Sequence, residues 1–483
     1  MSYYQSIKYL LGAEFKKVIP LSILFLLIST VDLVGIGLIG SYVAIIIDPS
    51  FLQNYVEYDF LNFLKSYNHG QSILFIGICL IVIFIIKFAF LLFSNYLIVA
   101  FAALEQAKIQ KLLISGILNQ SYENFLTSNS GDNLSSIANF SGNYREVLQA
   151  ILQSLSNIIV IAVVSVFLGI TSLLTLTTLI LMLGFVLGIY NFIFAKRIHS
   201  YGKDYADGAS TMIQGATEIS SGLKEIKTLG KEQFFLELIS NSADKIAKAA
   251  LRLNFLGVIP RNLIEVILIM FVVLIVGVNI GEDEELASIV SLLGIFMAGM
   301  IRIAPLMSQL QISWNTLIYG KQPVMTLSLI IQEQNENGSE IINTNSPIDT
   351  PNLYEEFAKL ELNKISYKYP TTTFNSISDL SLTIEKGDFI GLIGPSGSGK
   401  TSLINIILGF LKPTSGSIQF NDKNLEENIS LWRNKCAYLP QDIFLINGSF
   451  RENITFMKDS EDSTILERAI KLSKLSEFIN NLP

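Results

Sequence analysis

The chain has 483 residues, half of them apolar and only 16% charged, with a net charge of −7. Soluble globular proteins carry about 25% charged residues, so this composition excludes an ordinary soluble globule and points to membrane insertion. No basic block or aromatic-interleaved basic stripe occurs, which removes nucleic acid from the expected partners. Cys79 falls in an apolar stretch and Cys436 in the polar part, and His69 and His199 are the only histidines. Neither a disulfide framework nor a thiolate or histidine metal centre is expected from such a set.

In chain order, Met1–Lys17 is polar and amphipathic, and no small-residue cleavage site closes the apolar run behind it, so that run reads as a retained span. Stretches long enough to cross about 30 Å of hydrocarbon follow at Val18–Ile47, Ser72–Ala103, Val147–Ile170, Leu173–Ala195, Leu263–Ile280 and Leu286–Leu310. Leu104–Glu146 and Lys196–Val258 between them are long, polar and helix-favouring, while the alternate connections are short. Lysine and arginine gather before the first span and in the two long segments, whereas the other side has Lys65 and the acidic Glu282–Glu285. The positive-inside rule then puts both termini and both long segments in the cytoplasm.

Beyond the sixth span, Asn335–Thr350 is rich in Asn, Ser, Thr and Pro without periodicity, as a linker is. The expected organisation is an all-α membrane domain over 1–334, a linker over 335–357, and a soluble α/β domain over 358–483. Strands are expected at Lys359–Tyr367, Leu380–Ile384, Ile418–Phe420 and Ala437–Leu439. Phe389–Ile393 reads as a short buried strand and Ser402–Leu411 as a helix. Between these two lies Gly394-Pro395-Ser396-Gly397-Ser398-Gly399-Lys400-Thr401, a complete phosphate-binding loop in the strand-to-helix context that the motif requires. Its glycines permit a tight turn whose N–H groups form an anion nest at a helix N-terminus. Lys400 would reach the β- and γ-phosphate oxygens, and Thr401, followed by Ser402, would set its hydroxyl on Mg²⁺.

These residues resemble the ATP-binding cassette exporters, in particular half-transporters with one six-helix membrane domain ahead of one α/β P-loop nucleotide-binding domain. On that resemblance Tyr369, in Ile365-Ser-Tyr-Lys-Tyr-Pro370, stacks on adenine. Gln441, in Ala437-Tyr-Leu-Pro-Gln-Asp442, contacts Mg²⁺ and the attacking water, and Phe444 and Gly448–Ile454 continue the exporter pattern. Leu223–Glu232 is either a cytoplasmic loop that meets the nucleotide-binding domain or a plain charged surface helix. ATP and Mg²⁺ are the implied cofactors, and a second half-transporter, as a homodimer, is the implied partner.

The resemblance also implies a signature Leu-Ser-Gly-Gly-Gln, Walker B carboxylates and a switch histidine, none of which occurs up to Pro483. Ser220–Gly222 and Gly281–Glu284 do not substitute for them. The expectation is a C-terminally truncated nucleotide-binding domain, incomplete or loosely folded, that binds nucleotide without hydrolysing it alone.

Lys87, Arg261 and Arg302 lie inside apolar stretches, where a charge costs several kcal/mol unless it is paired or faces water. They either line one cavity suited to a phosphate or pyrophosphate headgroup, or they snorkel and pair, Arg261 with Glu265 and Arg302 with Asp32. The first arrangement is similar to the exporter branch that flips polyprenyl-pyrophosphate-linked oligosaccharides, with Val258–Glu265 and Met300–Pro305 as the local likeness. That branch implies a bacterial inner-membrane location, surrounding lipids and an amphiphilic anionic substrate. Export of peptides or other lipids, and a membrane-anchored ATP-binding regulator that does not transport, are the rival readings.

Overall fold

The computed structural model describes residues 2–47, 69–127, 130–279, 286–336, 356–370, 372–441, 443–456 and 463–481. The chain divides into two compact units, 1–345 and 346–483.

The first unit is helical throughout its described length. Helix α1 (Tyr3–Leu11) starts from a Ser2/Gln5 capping box, in which each residue satisfies an orphan N–H of the other's turn. A 3₁₀ turn then leads into α2 (Val18–Ile47), which coincides with the first expected span. The remaining expected spans are the apolar portions of longer helices: α3 (His69–Asn119), α4 (Ser141–Thr171), α5 (Leu173–Ser221), α7 (Glu232–Asn279) and α8 (Leu286–Tyr319). A six-residue helix α6 (Leu223–Thr228) lies between α5 and α7, and α9 (Lys321–Glu336) follows α8. Over the described residues α3, α4, α5 and α7 are each long and apolar enough to cross a bilayer. Residues 280–285, which hold the acidic cluster, and 337–355 of the expected linker lie outside the described residues.

Why the helices outrun the membrane is visible in their composition. Leu104–Asn119 and Lys196–Ser221 keep helix-favouring residues with no proline, so the ladder begun in the apolar run continues into the polar segment. The polar part of α5 packs antiparallel on that of α7, and Ile198, Leu256 and Tyr190 are buried at the junction with α8. In the apolar region Val164 and Leu168 of α4, Leu179 and Leu183 of α5, Ile264 and Phe271 of α7, and Phe296 and Met300 of α8 form one core.

One close approach fixes how α5 meets the end of α8. A Cβ on Gly202 would fall 2.5 Å from the Tyr319 Cβ and 2.9 Å from its Cα, closer than side chains approach backbone. Gly202→Ala is therefore expected to cost about 1–3 kcal/mol through overpacking. Gly188→Ala, on the same helix but with nothing within 4 Å, serves as control. Thermal unfolding of the two variants in lipid nanodiscs measures the difference, and equal melting points would remove the steric account.

The second unit is built on an antiparallel four-stranded sheet of order β2-β1-β3-β4, from β1 (Lys359–Tyr367), β2 (Ile377–Glu385), β3 (Ser415–Phe420) and β4 (Lys423–Asn424). Leu360 pairs with Ile384 on one side and Phe420 on the other. Leu360 and Leu362 turn inward with Phe420 and meet Ile406 and Trp432 beneath the sheet. Helix α10 (Lys400–Ile407) follows the glycine-rich loop, shorter than the expected Ser402–Leu411 because the chain turns at Leu408–Phe410. Helices α11 (Ile429–Arg433), α12 (Phe450–Thr455) and α13 (Ser463–Leu472) complete the labelled elements.

Two expected strands do not form. Phe389–Ile393 is extended without ladder pairing, and the side chains of Phe389 and Ile393 are fully exposed. Ala437–Leu439 is likewise unpaired, with Tyr438 and Leu439 exposed. Their apolar patterns are those of strands buried on both faces, which exist only beside hydrogen-bonded neighbours. Among the described residues no strand runs alongside either.

Candidate functional site

The loop Gly394–Lys400 leaves the unpaired Phe389–Ile393 segment and enters α10. Its shape follows from glycine at two left-handed positions, Gly397 at φ +80° and Gly399 at φ +88°. At Gly399 a Cβ would also strike the Ser376 carbonyl oxygen, 2.5 Å away, so glycine is required there twice over. Residues Gly394–Ser398 are exposed. Within the loop the Ser398 N–H donates to the Pro395 carbonyl at 3.3 Å. A Cβ at Gly394 would fall 2.7 Å from Ser398 Oγ, inside the cradle itself.

Lys400 opens α10 and folds back over the loop. Its Nζ donates to the carbonyls of Gly394 and Pro395, each at 2.7 Å, and to Ser398 Oγ at 3.4 Å. The ammonium thus sits over the same turn that presents the helix N-terminus, and positive potential from both converges on one spot. Thr401 is exposed beside it, while Ser402 is buried and shares a 3.0 Å hydrogen bond with the Tyr369 hydroxyl. Tyr369 packs edge-on against Tyr367, ring centroids 4.9 Å apart, so its ring is anchored at both ends of the sheet–helix junction. The structure therefore brings Tyr369, the loop, Lys400, Thr401 and Ser402 together.

Gln441 stands apart from this group. It is exposed at the end of the unpaired 437–441 segment, and no hydrogen bond joins it to the loop among the described residues. Asp442 beside it lies outside the described residues. Downstream, Ser449 and Glu452 form a capping box on α12: the Ser449 N–H meets Glu452 Oε2 at 2.6 Å, and the Glu452 N–H meets Ser449 Oγ at 3.2 Å. The backbone hydrogen bond from Ser449 holds the Glu452 carboxyl below the usual carboxylate range. Burial against the Trp432 core pushes the Cys436 thiol up, which keeps it neutral.

In the helical unit Arg261 pairs with Glu265 at 3.7 Å, both side chains more than half exposed at 74% and 63%. Lys87 lies 4.8 Å from the Phe84 ring centroid on α3, which packs with α2 and α4. Arg302 is half-buried on α8, and α8 packs with α7, the helix of Arg261. The helix of Lys87 and that of Arg302 both pack on α4, while Arg261 lies on α7. The side chain of Asp32, the alternative partner for Arg302, lies outside what is described.

A polar network that charge-counting missed ties α5, α7 and α8 together. Pro260 inside α7 has no N–H for the Leu256 carbonyl one turn back, and the buried Tyr190 hydroxyl donates to that carbonyl at 2.8 Å. Asn315 donates to the Tyr190 oxygen at 3.2 Å, and Gln311 donates to Asn191 at 2.9 Å and to Asn315 at 3.2 Å. Asn191 returns a 3.2 Å bond to Gln311. The sequence signal was a pair of amides four residues apart, Gln311 and Asn315, on one helix face.

Comparison with known proteins adds to this geometry. The family model for the ABC transporter transmembrane region matches residues 33–303, and a second family model, ABC transporter, matches 377–483. Similar curated proteins include ABC transporter B family member 1 of Dictyostelium discoideum, 26% identical over 83% of this chain and 44% of the relative. Another is an ATP-dependent lipid A-core flippase of Cupriavidus pinatubonensis, 24% identical over 63% of this chain and 51% of the relative. The chain spans about half the length of these relatives. A solved bacterial Atm1-family ABC exporter with ATP bound superposes with a TM-score of 0.72, covering 98% of this chain and 80% of that one at 14% identity, which is a likeness of fold.

Proposed function

The chain belongs to the ABC transporters, and from that premise we propose that it is the half-transporter of an ATP-driven exporter that flips a polyprenyl-pyrophosphate-linked oligosaccharide or a similar amphiphile. The carrying observation is the phosphate-binding cradle at Gly394–Thr401, with Lys400 poised over it, on a unit that follows six long helices with apolar runs. The proposed division is a membrane domain over 1–334, a linker over 335–357 and a nucleotide-binding domain over 358–483. The membrane is a bacterial inner membrane, with the N-terminus and nucleotide-binding domain cytoplasmic, as the lysine and arginine distribution supports.

The loop fits a nucleoside triphosphate: an exposed glycine turn, a helix N-terminus, and a lysine whose partners among the described residues are carbonyls and a hydroxyl that it can leave. Bound nucleotide with Mg²⁺ would supply the free energy of phosphoanhydride cleavage. Lys400 would turn from the two carbonyls to the terminal phosphates, Thr401 would offer its hydroxyl to Mg²⁺ with Gln441 as a further ligand, and Tyr369 would carry the adenine. Ser402, by holding the Tyr369 hydroxyl, would orient that ring. A second copy would complete each site across a two-fold axis.

The cargo reading rests on Lys87, Arg261 and Arg302, set within the apolar runs. In proteoliposomes of the full-length protein, replacing all three by alanine is expected to lower flipping of a fluorescent lipid-pyrophosphate oligosaccharide at least tenfold while leaving nucleotide affinity intact. Undiminished flipping would instead favour a transporter that does not read phosphate, such as an exporter of peptides or other lipids. Nucleotide binding without any transport would favour a membrane-anchored regulator.

A further inference from the structure

At the end of the helical spans from which the long extensions project, α3, α4 and α8 part to leave a cleft of about 400 Å³. Asn95, Glu146, Gln149, Gln153, Gln309 and Ser313 line it. Glu146, Gln149 and Gln153 recur at spacings of three and four, one face of α4. The apolar run of α4 starts at Val147 and that of α8 ends at Leu310, so the cleft lies where a bilayer passes from hydrocarbon to headgroups.

We propose that this cleft binds the uncharged, hydroxyl-rich headgroup of an amphiphile, a second recognition site distinct from the three cations; the inference rests on the transport reading. Its chemistry carries the assignment. No cation is among the described residues that line the cleft, and Glu146 is the one charge there, so an anion is repelled. An ammonium donates hydrogen bonds but accepts none, and would leave the amide N–H groups unmatched. Asn95, Gln149, Gln153 and Gln309 each present a donor and an acceptor together, which is the pattern of a hydroxyl group. Glu146 is already oriented: its Oε2 accepts from the Tyr319 hydroxyl at 2.8 Å, leaving Oε1 to accept from a ligand hydroxyl. Gln153 is steadied in the same way, its Nε2 donating to Asn157 Oδ1 at 3.2 Å, so that its carbonyl remains. Asn157, buried at 2% exposure, has an Nδ2 with no partner among the described residues and continues the amide face one turn deeper.

The test uses full-length protein in lipid nanodiscs prepared without sugar detergent. Trp314, exposed and next to Ser313, reports by its fluorescence. Hexyl maltoside, hexyl phosphate and hexylammonium share one tail and differ only in head. The maltoside is expected to bind at least tenfold more tightly than either other probe. Asn95→Leu and Gln309→Leu, both at exposed positions where folding is not at stake, are expected to erase that preference. Equal binding of the three, tighter binding of hexylammonium, or a maltoside preference unchanged in both variants would overturn the assignment. Maltoside preference retained by a protein that flips no lipid-linked sugar would uphold the cleft and sink the transport reading alone.

Discussion

Replacing Lys400 by alanine is expected to weaken Mg-nucleotide binding by about 10- to 150-fold, the equivalent of the 1.5–3 kcal/mol that a hydrogen bond to a charged group contributes. Among the described residues the Lys400 ammonium is the side-chain charge set over the loop, and its 2.7 Å bonds to the Gly394 and Pro395 carbonyls are made within an exposed turn. Those bonds also suggest a rival role, a staple that holds the loop in shape. Calorimetric titration of full-length protein, run beside thermal unfolding without nucleotide, separates the two. A pure staple predicts a lower melting point and an unchanged Kd. Lys400→Arg is expected to restore loop stability without full affinity, because a planar guanidinium does not replace a compact point charge at a phosphate nest.

Tyr190→Phe is expected to destabilise the helical unit by unpairing a buried carbonyl. The missing hydroxyl leaves the Leu256 carbonyl without the donor that Pro260 cannot supply, and takes from Asn315 its acceptor. A buried acceptor left unmatched costs about 1–3 kcal/mol in water-soluble proteins, and interhelical bonds in membranes contribute somewhat less, so about 1–2 kcal/mol is expected here. Adding Pro260→Ala to Tyr190→Phe returns an N–H to position 260 and with it the ordinary helical bond to Leu256. The double variant is expected to regain a good part of the lost stability in a nanodisc melting experiment. Were Pro260→Ala to have the same effect in both backgrounds, the carbonyl would not be the cause.

How much of this was legible beforehand depended on whether the neighbours of a segment were themselves near in sequence. Val18–Ile47 was read residue for residue because an apolar run in a bilayer satisfies its own backbone. The same logic gave β1, where Leu360 and Leu362 alternate against local partners in β2 and β3. It failed at Phe389–Ile393 and Ala437–Leu439, whose apolarity signals burial between strands but cannot provide them. Around the candidate site, spacing singles out the glycines, Lys400 and Thr401, and neighbouring residues single out Tyr369 and Gln441, of which Gln441 stands apart from the loop. That Ser402 would hold the Tyr369 hydroxyl was not legible, since 33 residues separate them. The amides of the cleft were not legible for another reason: uncharged side chains such as Gln149 and Gln153, though on one helical stripe with Glu146, carry no desolvation cost large enough to single them out.

The helices that overrun the apolar region differ in one mechanical respect. Helices α3 and α5, at 51 and 49 residues, contain no proline and extend about 75 Å as continuous rods. Helices α7 and α8 each carry an interior proline, Pro260 and Pro305, the residue at which helices most readily bend. A push on the distal tip of a stiff rod travels undiminished into the bilayer, whereas a jointed one can fold the same push into a bend. Torque applied to this bundle should therefore tilt α3 and α5 as wholes and flex α7 and α8 midway, prising the two kinds of shaft apart along their shared length.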